Sequence, residues 1–138
     1  MIKELLTSAI ISASPATDNE DLATADEVKD YIEEIGIRYP EIVYYQFVQE
    51  SGRGTSRLAR EANNLFGMKK HMRKESLAIG YTKSGFAVYR SWKDSIVDYL
   101  IWQLKYTSKI KTKEDYLKYI RSVYSNNEKK YLYEYLGY

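Results

Sequence analysis

Apolar positions recur along the chain with a helical period, interrupted by one stretch that has none. Val28, Tyr31, Ile32 and Ile35 follow the spacing of a helix face, after a start at Thr24–Asp26 and before a stop at Gly36. Pro40 fits the first turn of a second helix. That helix reads EIVYYQFVQE and is apolar on nearly every side, which predicts burial. Gly52 and Gly54 end it. Thr55 or Ser56 caps a third helix that runs through Ala62, and Asn63 to Gly67 closes it. From Met68 to Tyr89 the pattern changes: first basic, then SLAIGYTKSGFAVYR, two short β-prone runs flanking Lys83, Ser84 and Gly85. This predicts a small hairpin. Ser91 with Asp94 marks a new helix start, and Ile96, Tyr99, Leu100, Gln103 and Leu104 form its stripe. Thr112 with Asp115 repeats the signal ahead of Tyr116, Ile120 and Val123. Asn126 or Asn127 caps a final helix that ends near Gly137. Asp94 and Asp98 read as a helix cap and a solvent-facing residue.

The predicted fold class is therefore α+β, mainly α: a helical domain with a small β-hairpin lobe. Residues 1–23, rich in Ser, Ala, Thr and Asp, read as a flexible lead-in, and residues 24–138 as one domain. A chain of 138 residues can bury about two-thirds of its unfolded surface.

A formal net charge of +2 gives no support to nucleic-acid binding. Basic clusters lie at 69–74 and 105–113 and read first as solvated surface, with Lys69, Lys70, Arg73 and Lys74 available to an anionic polymer. The absence of cysteine excludes disulfides, zinc–thiolate sites and cysteine nucleophiles. One histidine, His71, cannot supply a metal cluster; it reads as rim, touching substrate at most. Fifteen tyrosines offer flat apolar faces with a hydroxyl, the kind of surface that meets a sugar ring. Trp92 and Trp102 sit where core residues are expected. The N-terminus has an apolar patch after Lys3, but Glu4 and interspersed serines depart from a signal peptide. No run is long enough to span a membrane.

Glu50 carries the candidate chemistry. A carboxylate at the end of a buried helix is costly to ionise, because desolvation and the negative end of the helix both oppose its charge. Such a group suits proton donation to a glycosidic oxygen. A solvent-exposed residue just past the helix end is the plain alternative.

The stretch QESGRGTSRLAREANNLFGMKK, residues 49–70, resembles the signature of the glucosaminidase family of peptidoglycan hydrolases, within the lysozyme-like superfamily. That signature reads roughly E-[ST]-G-x-x-x-S-x-[LI]-x-x-x-x-N-N-L-F-G-[IM]-K. AIG at 78–80, AVYRSWKDSIVDYLIWQ at 87–103 and VYSNNEKKYLYEYL at 123–136 follow in the family's order, with Asn126 and Asn127 replacing Thr-Asp. The short form is most similar to versions from Bacteroidetes and their phages. The resemblance implies a lysozyme-like fold with Glu50 as general acid and Tyr124 as the tyrosine orienting substrate or water. It places Asn64 and Phe66 in the turn beneath Glu50, and with Ser51 and His71 they are the candidate substrate-binding residues.

Glu75 is the one glutamate between Gly67 and Lys113, hence the candidate second carboxylate. Without it, the substrate's own N-acetyl group can serve as internal nucleophile. The resemblance implies cleavage of a β-1,4 bond after N-acetylglucosamine in peptidoglycan glycan strands, with no metal or cofactor. The missing export signal and wall-binding repeats point to a monomeric phage lysin or a virion-borne lytic protein. A muramidase or lytic transglycosylase on the same fold, or a protein that only binds glycan, is the alternative.

Overall fold

The computed structural model describes residues 23–70 and 75–123. They form five helices and one two-stranded antiparallel hairpin: α1 (Ala25–Glu34), α2 (Pro40–Ser51), α3 (Arg57–Ala62), β1 (Gly80–Tyr81), β2 (Ala87–Val88), α4 (Trp92–Tyr106) and α5 (Lys113–Val123). The mainly helical α+β class read from the sequence is the one observed. The final helix predicted after Asn126 and the lead-in over 1–22 lie outside the described residues.

Local chemistry sets the boundaries. Thr24 caps α1 in a reciprocal box: its hydroxyl accepts from the Glu27 backbone at 3.1 Å, and the Glu27 carboxylate accepts from the Thr24 backbone at 3.3 Å. α2 opens at Pro40, which pushes the preceding residue away from the right-handed helical region. That restriction favours extended backbone, but Tyr39 takes a left-handed conformation instead, with φ at 55°. Packing holds it there: its ring stacks on Tyr116 at 4.6 Å, and the Arg38 guanidinium lies 5.1 Å from its centroid. Ser56, not Thr55, caps α3, accepting from the Ala59 backbone at 3.1 Å. Ser91 and Thr112 cap α4 and α5 through the backbones of Asp94 and Asp115, at 3.2 and 3.1 Å.

The core gathers Val28 and Ile32 of α1, Ile42, Val43 and Phe47 of α2, Ile96 and Tyr99 of α4, and Tyr116 and Ile120 of α5. Trp92 and Trp102 are part of it, as expected. A buried polar chain runs through this core. The Tyr99 hydroxyl bonds the Gln46 side-chain oxygen and meets the Tyr116 hydroxyl at 2.5 Å. The Gln103 amide then donates to the Tyr116 hydroxyl at 3.0 Å and to the Arg38 carbonyl at 2.8 Å. Burial pushes the Tyr116 phenol up to about 12, against the opposing effect of its bonds to Tyr99 and Gln103.

The α4 stripe differs from its prediction. Leu104 is exposed, whereas Asp98, expected to face solvent, is fully buried. Its carboxylate accepts from the Ser76 hydroxyl at 3.0 Å, the Leu77 backbone at 2.9 Å and the Tyr89 hydroxyl. Hydrophobic periodicity misplaces Asp98 because its partners stand 9 to 22 residues earlier in the chain, outside the helix.

Candidate active site

The site forms where α2 ends and the lobe begins. Glu50 lies in the last turn of α2, half-buried, one turn beyond the buried Gln46. Beyond it the chain makes a tight left-handed passage: Gly52, Arg53 and Gly54 all have positive φ, at 56°, 58° and 84°. The Ser51 hydroxyl fixes this passage, donating to the Phe47 carbonyl at 2.5 Å and accepting from the Gly54 backbone at 2.9 Å. The Gly52 amide caps the helix by donating to the Val48 carbonyl.

The second turn, NNLFG, closes against Glu50. α3 ends at Asn63 in a left-handed conformation, and Gly67 follows with φ at +67°. A Cβ placed on Gly67 would stand 3.1 Å from Glu50 Oε2. Glycine is required there twice over, by its backbone angle and by the proximity of the carboxylate. The turn is rigidly held. Asn64 donates to the carbonyls of Met68 and Ala87 at 3.0 and 2.9 Å and accepts from the Met68 backbone at 3.1 Å. The Leu65 amide donates to the Ser95 hydroxyl of α4 at 3.0 Å, and Phe66 packs on Tyr99 at 4.6 Å.

Ser51, Asn64 and Phe66 are buried to 1% exposure or less. Their substrate-facing reading gives way to a positional one: the polar atoms of Ser51 and Asn64 are engaged inside the protein, and Phe66 has no surface to offer. They build the two turns that hold Glu50. Glu75 is exposed and immediately precedes Ser76 and Leu77, the pair fastened to Asp98. His71 and Tyr124 lie outside the described residues. Sequence reasoning missed Asp98 as the residue that ties the lobe to the helical body. The tyrosine and serine among its partners carry no sequence signal that would have announced it.

Asp94, read as a cap, is 5% exposed. Its backbone meets the Ser91 hydroxyl as that reading requires, but its Oδ2 is buried with no hydrogen-bond partner among the described residues. Burial raises its pKa, opposed by the Arg90 charge and a Ser91 hydrogen bond. Among the described residues no helix is long and apolar enough to cross a membrane.

Both turns lie within the region that a known family matches. The model of the glucosaminidase family, described as mannosyl-glycoprotein endo-beta-N-acetylglucosaminidase, matches residues 25–135. The chain belongs to the glucosaminidase family. It is thereby a member of a glycoside hydrolase family, and its substrate class is glycan. No curated protein and no solved structure matches the chain.

Proposed function

We propose that this glucosaminidase-family protein hydrolyses peptidoglycan in the bacterial cell wall, cutting a β-1,4 bond on the reducing side of N-acetylglucosamine with Glu50 as general acid. One observation carries the reading: the Glu50 carboxylate sits half-buried against Gly67, at the junction of a helical body and a β lobe. That junction is where a lysozyme-like enzyme receives its polymer. The carboxyl end of α2 disfavours negative charge, which suits a group that must deliver a proton.

In the reaction Glu50 protonates the glycosidic oxygen as the bond to the anomeric carbon breaks. The aglycone leaves as an alcohol, and water adds its hydroxyl to the anomeric carbon. The proton released by water restores the acid. Glu75 is the lobe's own carboxylate and the candidate to support the anomeric carbon; the substrate's N-acetyl oxygen fills that role if Glu75 does not. Tyr124 is assigned to orienting substrate or water on the strength of the sequence resemblance.

The test is digestion of purified peptidoglycan by wild type, Glu50→Gln and Glu75→Gln, with fragment ends read by mass spectrometry. Reducing-end N-acetylglucosamine from wild type, lost in Glu50→Gln, is expected. Loss of at least about 100-fold for Glu50→Gln follows from removing the proton donor. Retained turnover there refutes the assignment of the acid. Reducing or anhydro N-acetylmuramic acid ends move the cleaved bond and refute the N-acetylglucosaminidase type. No fragments from wild type on several wall preparations refute hydrolysis altogether. Wild-type rates from Glu75→Gln leave the N-acetyl group as the nucleophile.

A further inference from the structure

The lobe has a face that begins in the core and runs out into solvent. Three segments make it. Lys69 bridges Phe86, and β1 pairs with β2 in the register Gly80 with Val88 and Tyr81 with Ala87. Opposed residues share a face, and neighbours in a strand alternate. Met68, Ala87 and Tyr89 therefore lie on one face, and each is almost fully buried. Further out, the same face carries Tyr81 and Lys70, and Ile79 lies just before β1 with its amide donating to the Val88 carbonyl at 2.8 Å. Ile79 is 59% exposed and Tyr81 is 42% exposed, and among the described residues they are the large apolar side chains the lobe shows to water. Lys70 is exposed too, its ammonium 5.5 Å from the Tyr81 ring centroid. Between them lies Gly85, where an added Cβ would meet nothing within 4 Å. The face thus offers an aromatic plane, an adjacent cation and an open floor. Its inner end reaches Met68, next to the Gly67 that touches Glu50.

Charge points the same way. Residues 67–93 contain seven lysines and arginines and one acidic residue, Glu75, whereas the rest of the chain is net negative. Excess positive charge in this stretch attracts an anionic ligand there, and the second basic run, at 105–113, lies on the helical body. Uncharged sugar explains Tyr81 but not this asymmetry.

We infer that Ile79, Tyr81 and Lys70 form a distal glycan subsite in which Tyr81 carries a sugar ring and Lys70 pairs with a carboxylate of the attached peptide stem. The inference rests on the peptidoglycan reading above and names the part of that substrate the lobe selects. The ring supplies affinity for any hexosamine of the strand. The lysine supplies preference for strands whose stems keep their free carboxylates. A surface pair of this kind is modest and sensitive to salt.

The test measures binding, so that it does not depend on turnover. The probes are a peptidoglycan tetrasaccharide with its peptide stems and the same molecule with every carboxylate amidated. Calorimetry on the Glu50→Gln protein at low salt should show the amidated ligand bound about fivefold more weakly, the scale of an exposed ion pair. Lys70→Glu in that background should abolish the difference, and about 0.5 M salt should collapse it in the parent. Tyr81→Ala should weaken both ligands alike. Equal affinity for the two ligands, or an amidation effect that survives Lys70→Glu, overturns the subsite. Wild-type protein that cleaves neither probe, with the Lys70-dependent difference intact, would sink the catalytic reading and leave the subsite standing. Cleavage with no dependence on Lys70 or amidation does the reverse. Lys70 is on the surface, so a matching thermal transition for Lys70→Glu confirms that the comparison is between folded proteins.

Discussion

Gly67→Ala separates the structural demand of the second turn from its chemical one. Two costs are legible at this position. An alanine at φ +67° carries the left-handed backbone penalty of about 1–2 kcal/mol, offset by about 0.4–1 kcal/mol of reduced freedom in the unfolded chain. The net loss is therefore about 1 kcal/mol, or a fall in melting temperature of about 2–5 °C. The second cost is local. The new Cβ would lie 3.1 Å from Glu50 Oε2, so the carboxylate must give way by a few tenths of an ångström. Displacements approaching an ångström in a catalytic group can cost about 100-fold in rate, and a smaller shift should still lower kcat about 10-fold. Gly36→Ala is the matched control: its φ is +78°, and nothing lies within 4 Å of its added Cβ. Both variants should lose similar stability in urea titrations, and only Gly67→Ala should lose turnover on a soluble peptidoglycan fragment. Equal activity in the two variants would refute the idea that Gly67 positions Glu50, the proposed acid.

Further outcomes are expected elsewhere in the molecule. Asp98→Ala strips the acceptor from Ser76, Leu77 and Tyr89 and should cost about 2–4 kcal/mol, with faster proteolysis in 75–81 and loss of hydrogen-exchange protection at the Leu77 amide. A loss below about 0.5 kcal/mol would mean that the lobe is held by other contacts. Asp94 has a raised native pKa, so the folded state holds the proton longer than the unfolded chain, and stability falls as pH rises through that window. Asp94→Asn should flatten the pH dependence of unfolding just above the ordinary aspartate range; an unchanged slope would contradict the burial of its carboxyl. Tyr116 obeys the same sign at the alkaline end: with its native pKa at about 12, stability should drop as pH rises above the ordinary tyrosine value of 10.0, and Tyr116→Phe should remove that part of the drop. Alkaline denaturation followed by circular dichroism reads this directly.

The sequence by itself determined most of the helix starts and singled out Glu50 as the candidate acid. The Thr24, Ser91 and Thr112 starts, the Pro40 start and the turn before Ala87 depend on residues a few positions apart, and local chemistry of this range is written directly in the chain. Glu50 stood out as a candidate because it lies between an apolar helix and a glycine turn, and the family resemblance supplied its proposed role. Tertiary structure alone decided what Glu50 touches. Its Oε2 stands where a Cβ on Gly67, 17 residues on, would crowd it, and the turn that carries Gly67 is held by Asn64 reaching Ala87 and by Leu65 reaching Ser95. It also decided that Asp98 points inward, because three partners from the lobe compensate a buried carboxylate in a position that periodicity gives to solvent. The continuity of the Met68 face with Tyr81 and Lys70 likewise came only from strand register. Pairing across a sheet joins residues whose separation in sequence carries no period, so no pattern along the chain could reveal it.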